Sequence, residues 1–239
     1  MEERLIRTEM LLGAAAMGRL ARAHVAVFGL GGVGSWCAEA LARCGVGALT
    51  LIDEDTVAES NLNRQIEALG STIGQSKAEA MAGRVRDIAP GCRVTARAER
   101  YEAARRGEFF PAPWDYIADC IDLVACKLDL IEAARAGGIP IISALGTGNK
   151  LDLSRLRIAD VYGTDVCPLA RVMRRELRRR GVERLTVVFS DEPPTEPSQP
   201  EAPPPGRRSV PGSAVWVPAA AGLLMAQHIA LSIAKEGNR

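Results

Sequence analysis

The glycine run Gly29-Leu30-Gly31-Gly32-Val33-Gly34, with Asp53, Asn61, Arg64, Gln65, Lys77 and Asp122 after it, holds the residue types that phosphate chemistry needs. Glycines let a backbone approach a phosphate closely, and a helix starting there would aim N–H groups and a partial positive charge at it. Asp53 stands where an acidic residue grips a ribose. The loop alone fits an ordinary nicotinamide or flavin site. The polar stretch from Asp53 through Asp55 and Asn61 to Gln65, with Lys77 twelve positions later, points elsewhere. A hydride-transfer enzyme has no need for this added arginine and lysine. An enzyme that cleaves ATP does, because cations stabilise charge that develops on the phosphates. The Asp122 carboxylate suits Mg²⁺. Singly, each residue has a plainer reading: Arg64 as a surface cation, Asp122 as a cap of the next helix.

The elements that must position these groups read as alternating strands and helices. Val25–Phe28 is a short apolar run ending in glycines. A helix over about Gly34–Cys44 and a strand over Leu49–Asp53 follow. A helix over Ser76–Ile88 stops before Pro90. Cys92–Ala98 is a weaker strand pattern and Tyr116–Asp122 a stronger one, closing on Asp122. A helix over Leu128–Ala136 leads into a strand over Ile139–Ser143. Uninterrupted apolar runs of this length suit strands covered on both faces, hence a parallel sheet. The rhythm predicts an α/β fold: a Rossmann-like, doubly wound, mostly parallel sheet with helices on both faces, plus a C-terminal extension. The extension offers a helix over Arg171–Arg180, a strand over Thr186–Ser190, and Pro193–Pro211, which holds eight of the fourteen prolines. That proline stretch reads as a mobile surface loop. The chain reads as one domain, with a nucleotide-binding core over about 24–148 and a C-terminal part over about 149–239.

Of the 239 residues, 47% are apolar and 25% charged, which excludes wholesale disorder. A net charge of +1 excludes a globally basic nucleic-acid coat, and 4% aromatic residues make no stacking platform for single strands. The six cysteines form no C-x-x-C pair and there are two histidines, so a zinc site of paired knuckles is not expected. Met1–Arg7 mixes both charges without an apolar signal core, and the expectation is a cytoplasmic protein with free thiols. Val217–Ala234, interrupted by Gln227 and His228, reads as a buried helix short of the ~20 residues a membrane span needs.

Together Gly29-x-Gly31-Gly32-x-Gly34-Ser35, Asp53-x-Asp55, Asn61-x-x-Arg64-Gln65, Lys77 and Cys120-Ile121-Asp122 resemble the ThiF/MoeB/HesA superfamily of ubiquitin-activating-like adenylating enzymes. The likeness runs from about Arg7 to Ala234. Within it the chain most resembles the tRNA threonylcarbamoyladenosine dehydratases. The residues that carry this are Arg7–Gly13, Asn61–Ile66, Gly146–Asp152, Cys167-Pro168-Leu169-Ala170 with the arginines after it, and Pro211-Gly212-Ser213.

The resemblance implies ATP with Mg²⁺, adenylation of a carboxylate, and closure of threonylcarbamoyladenosine in tRNA to its cyclic form with release of AMP. It implies Gly29, Gly31, Gly32, Gly34, Asp53, Asp55, Asn61, Gln65, Arg64 and Lys77 at the nucleotide, Asp122 at the metal, and a homodimer in which Arg7 reaches the partner's ATP. A sulfur-transfer protein partner stays open. Cys167, before a basic helix, is the cysteine whose thiol cations could activate, with a structural thiol as the plainer role. Arg171, Arg174, Arg175, Arg178, Arg179 and Arg180, opposed by Glu176 alone, make a local tRNA-phosphate patch plausible. Two competing readings remain: adenylation of a ubiquitin-like sulfur carrier's C-terminal glycine, against which the missing cysteine pairs count, and a nicotinamide-dependent oxidoreductase. A non-catalytic nucleotide-binding adaptor is disfavoured by the cation set.

Overall fold

A computed structural model of the chain describes residues 2–110, 114–196, 198 and 210–235. Helices α1 (Ile6–Leu12) and α2 (Ala14–Arg22) precede strand β1 (His24–Phe28). Then come α3 (Gly34–Arg43), β2 (Ala48–Ile52), α4 (Lys77–Ile88), β3 (Arg93–Arg97), the short α5 (Arg106–Phe109) and β4 (Tyr116–Asp119). The chain continues through α6 (Val124–Ala136), β5 (Ile141–Ala144), β6 (Leu156–Asp160), α7 (Pro168–Arg179), β7 (Thr186–Ser190) and α8 (Trp216–Lys235).

Seven strands form one sheet in the order β3-β2-β1-β4-β5-β7-β6. Every pair is parallel except β6 with β7, where Leu156 lies opposite Ser190 and Asp160 opposite Thr186. The sheet is doubly wound, because strand residues alternate between two covered faces. Val25, Val27, Leu49 and Leu51 pack with α3, α4 and α8, while Ala26, Phe28, Ile52 and Ile117 pack with Leu130, Phe109 and Trp114 on the other side. A third apolar cluster joins α6 and α7 through Leu128, Ile131, Met173 and Leu177. The winding direction reverses between β1 and β4, and in such sheets ligands bind beyond the strands' carboxyl ends at this point.

The structure corrects several boundaries. Strand β4 ends at Asp119, so Asp122 stands in the loop three residues beyond it rather than closing the strand. Likewise Asp53 follows β2 instead of ending it. Helix α8 has 20 residues, long and apolar enough to cross a membrane by length and composition. Length therefore does not decide its role; its packing does, since Met225, Ile229 and Ile233 are buried against the domain. A Cβ on Gly222 would meet the Val33 carbonyl oxygen at 2.3 Å, which is how closely α8 crosses α3. Edge strand β6 and helices α1 and α2 had no counterpart in the sequence reading. Most of the Pro193–Pro211 stretch (197 and 199–209) lies outside the described residues.

Candidate functional site

The chain turns sharply after β1. Gly29 donates its N–H to the Ile52 carbonyl (2.8 Å) and holds φ at +84°, a left-handed conformation that favours glycine. A Cβ there would stand 2.7 Å from the Cys120 carbonyl oxygen. At Gly34 a Cβ would stand 1.8 Å from the Gly29 carbonyl oxygen, so this glycine closes the turn into α3. Gly31 and Gly32 face an open cleft of about 530 Å³ at the carboxyl ends of β1 and β4. The N-terminus of α3 opens beside it, a helix end suited to an anion.

Gly29, Gly31, Gly32, Asp53, Asp55, Asn61, Arg64, Gln65, Lys77 and Asp122 all line this cleft. Gly34 and Arg7 do not; Gly34 acts on the loop's shape, and Arg7 lies exposed on α1. Asp53 is a strap as well as a lining residue. Its Oδ2 accepts the Leu30 N–H (2.6 Å) and its Oδ1 the Asp55 N–H (2.8 Å), tying the glycine loop to the end of β2. Burial pushes this carboxyl up, and the Leu30 N–H and Lys77 pull it back. The Lys77 ammonium, almost wholly buried, sits 2.8 Å from Oδ2 of the exposed Asp55.

A short loop presents the remaining polar groups. Asn61 Oδ1 accepts the Ala58 N–H (3.0 Å), and the Asn61 carbonyl accepts the Gln65 N–H (3.0 Å). The Arg64 carbonyl takes the Trp36 indole N–H (3.0 Å), and the Arg64 guanidinium donates to the Ser60 carbonyl (2.8 Å) and Asn63 Oδ1 (2.9 Å). Asn63 in turn donates to the Ser213 carbonyl (2.9 Å), joining this loop to the far end of the chain. Gln65 is buried, and its Oε1 has no hydrogen-bond partner among the described residues. A buried amide oxygen without a donor is an acceptor left unsatisfied beside a polar cleft.

The rest of the lining goes beyond the residues that the sequence assigned to nucleotide and metal, although Gly146–Gly148, Leu169, Pro211 and Ser213 were among those that carried the resemblance. Arg100, paired with Glu54 at 2.6 Å, lines the cleft with Tyr101, Leu123 and Cys126. The opposite wall carries Gly146, Thr147 and Gly148 after β5, with Leu169, Pro211 and Ser213. The carboxyl-end rule for parallel strands was the available signal for Gly146–Gly148. Asn149, at φ +59°, pins this wall. Its N–H donates to the Gly212 carbonyl (2.7 Å), its Oδ1 accepts the Gly212 N–H (2.6 Å), and its carbonyl accepts the Thr195 N–H (2.8 Å).

The arginine helix is less bare than its sequence. Arg175, Arg179 and Arg180 pair with Glu176, Arg180 also with Glu132, Arg174 donates to Thr164, and Arg178 stacks over Tyr162. All six cysteines are free thiols. Cys167 is buried, its Sγ accepting the Ala170 N–H at the start of α7, which is a structural cap rather than an exposed nucleophile. No cluster of three or more His, Cys, Asp or Glu side chains able to hold a metal exists among the described residues. Glu54, Asp55 and Asp122 offer exposed carboxylates at the cleft, Glu54 pairing with Arg100 and Asp55 with Lys77. That donor set fits a Mg²⁺ that takes one carboxylate and completes its shell with water and substrate phosphates.

The ThiF family model matches residues 3–238. The tRNA threonylcarbamoyladenosine dehydratase of Bacillus subtilis is 39% identical over 96% of this chain and 94% of its own, and that of Escherichia coli 40% identical over 77% and 72%. Crystal structures of the Escherichia coli tRNA N6-threonylcarbamoyladenosine dehydratase superpose with a TM-score of 0.87 for the AMP complex (35% identity, 97% of this chain, 94% of that one) and 0.86 for the ATP complex (36%, 97% and 93%). With a family match over nearly its whole length and relatives this similar, the chain belongs to the ThiF family.

Proposed function

We propose that this protein is an ATP-dependent tRNA threonylcarbamoyladenosine dehydratase. The observation that carries the reading is the cleft itself: the glycine loop, Asp53, Arg64, Lys77 and Asp122 line one cavity, in a chain 39% identical over 96% of its length to an enzyme of that name. The sulfur-carrier reading is not favoured, because the adenylating enzymes for such carriers match only about half of this chain.

In the proposed reaction the threonine carboxylate of the modified nucleoside attacks the α-phosphorus of ATP, and pyrophosphate leaves. The neighbouring carbamoyl group then closes on the acyl-adenylate and expels AMP, so the oxygen lost from the substrate departs on AMP and the net change is one water. The chain's residues position and neutralise. Backbone N–H groups at Gly31 and Gly32 lie against the phosphates. Asp53, its inner lone pairs engaged by Leu30 and Asp55, uses its outer ones for the ribose. Lys77 exchanges Asp55 for phosphate oxygens, and Arg64 lies beside it. Asn61 and Gln65 orient the ribose end. Asp122 would hold Mg²⁺, which when bound would supply charge neutralisation on the phosphates.

Exposed Ile6, Met10 and Leu11 on α1, beside Arg7, support a homodimer in which Arg7 serves the partner's nucleotide. The outward face of α7, where Arg171 and Arg175 are exposed, is proposed to meet tRNA phosphates. The proposed location is the cytoplasm, where tRNA is available. The deciding experiment incubates purified protein with tRNA bearing threonylcarbamoyladenosine, with and without ATP and Mg²⁺, and reads nucleoside mass after gentle digestion. ATP-dependent loss of one water with AMP formed is expected; unchanged mass with ATP still bound overturns the reading.

A further inference from the structure

The loop that carries Asp122 is anchored by charges that touch no solvent. Asp119, the last residue of β4, and Lys127, in the first turn of α6, form an ion pair at 2.7 Å with both side chains completely buried. Ser143, on the neighbouring β5, donates its hydroxyl to the same Asp119 Oδ2 (2.6 Å). The other oxygen, Oδ1, accepts the N–H of Ile121 (3.2 Å). On the far side of Asp122, the Lys127 N–H donates to the Leu123 carbonyl (2.9 Å). Asp122 is thus bracketed: the residue before it is held by the Asp119 carboxylate, and the residue after it by the backbone of the helix that carries Lys127. The Cys120 N–H, bonded to the Phe28 carbonyl (2.8 Å), presses the same loop against Gly29.

A buried ion pair is a poor choice for stability alone. The hydration both ions lose offsets their attraction, and an apolar pair of similar volume often serves as well. What the pair supplies here is direction. It ties two strands, a helix and a loop backbone to a single carboxylate whose oxygens are all engaged.

We propose that the Asp119–Lys127–Ser143 cluster is a positioning device that sets where the Asp122 carboxylate stands relative to the glycine loop. The proposal rests on the reading of Asp122 as the metal-holding residue. None of the three side chains lines the cleft, so loss of the cluster changes the metal-linked step and leaves the remaining contacts in place. Misplacing a reacting group by about 1 Å costs up to about 100-fold in rate.

The test uses the full chain with Asp119→Leu/Lys127→Met, which leaves no buried charge unpaired and removes the acceptor of the Ile121 N–H. Asp122→Asn is the control. ATP affinity is measured by calorimetry in Mg²⁺ and in EDTA, alongside kcat and KM for the modified tRNA. Wild type gains affinity on adding Mg²⁺, and Asp122→Asn loses that gain. The double variant is expected to keep wild-type affinity in EDTA and wild-type KM for tRNA, to lose the gain, and to fall at least tenfold in kcat. A double variant with full gain and wild-type kcat, beside an Asp122→Asn that has lost the gain, overturns the positioning role alone. An Asp122→Asn that keeps the gain removes the metal reading and the positioning role with it. If circular dichroism shows the double variant unfolded, Ser143→Ala decides. It removes one hydrogen bond to Asp119, and it is expected to lose part of the gain with KM for tRNA unchanged; an intact gain overturns the proposal.

Discussion

On the wall of the cleft built from residues 29–77, the charged and polar side chains are held by backbone groups within a short span of chain. Asp53 takes two backbone N–H groups, Asn61 takes a third, and Arg64 is fixed through Ser60 and Trp36. On the opposite wall, Gly146–Gly148, Leu169, Pro211 and Ser213 come from separate parts of the chain and meet through shape and a few hydrogen bonds at Asn149. The first wall is a preorganised cradle for charge, whose groups need little reorganisation when phosphate arrives. The second is an assembled surface that sets the room left for a substrate. The difference teaches where each kind of substitution acts: on the first wall upon chemistry, on the second upon substrate capture.

The strongest way to break this division is to remove a charge from the cradle or from the loop after β4 beside it. Arg64→Ala and Asp122→Ala are each expected to lower kcat about 1000-fold, the upper range for loss of a preorganised electrostatic contact. Both side chains are partly or fully exposed, so circular dichroism and melting temperature are expected to stay near wild type. Wild-type turnover in either variant would show that the cradle does not act on the reacting phosphates.

A second substitution separates stability from chemistry on the same wall. Glu67 is buried, neither carboxylate oxygen has a partner among the described residues, and the Ser35 hydroxyl beside it spends its proton on the Gly31 carbonyl (2.8 Å). Burial pushes the Glu67 carboxyl up from 4.5 to about 7. The folded protein therefore holds this proton after the unfolded chain has released it. Stability falls as pH rises from about 4.5 to about 7 and then levels off. Glu67→Gln removes that penalty, and at 1.36 kcal/mol per pKa unit the gain at pH 8 is about 3 kcal/mol. Denaturant unfolding at pH 5 and pH 8 checks it: near-equal stabilities at the acid end and a more stable variant at the alkaline end are expected. A variant no more stable at pH 8 would mean that Glu67 has a partner when ionised.

Charge reversal tests the substrate side. Arg171→Glu/Arg175→Glu alters exposed arginines of α7, of which Arg175 pairs with Glu176. The expected result is at least a tenfold weaker tRNA affinity with a shallower salt dependence, and ATP affinity unchanged. Unaltered tRNA affinity would place the tRNA surface elsewhere.

What was legible in the sequence follows the same division. The glycine loop, Asp53, Arg64 and Lys77 line the cleft close to where they lie along the chain, and their types suit phosphate. The buried strands were legible because both faces are apolar. Edge strand β6, Leu156-Arg157-Ile158-Ala159-Asp160, is half exposed and too short for its alternation to stand out from a loop. The arginines of α7 were over-read as free charge, because Glu132 and Thr164, distant in sequence, and Tyr162 become neighbours only in the fold. Arg100 was missed for the same reason, and Asn149, singled out only as part of the Gly146–Asp152 stretch, was given no role: what they do depends on Glu54 and Gly212, residues that no local spacing connects to them.

The gentlest probe of the assembled wall is Asn149→Gly. Glycine accepts the φ of +59° without strain, so the backbone bonds to Gly212 and Thr195 persist, and only the side-chain acceptor of the Gly212 N–H is lost. One neutral hydrogen bond contributes about 1 kcal/mol, so KM for the modified tRNA is expected to rise about fivefold. ATP affinity is expected to stay at the wild-type value, because Asn61, Arg64 and Lys77 are held by bonds that do not pass through Asn149. Steady-state kinetics against both substrates separate the two. A parallel loss of ATP affinity would mean that the two walls move as one body through the Asn63–Ser213 bond, and that the division between chemistry and capture is false.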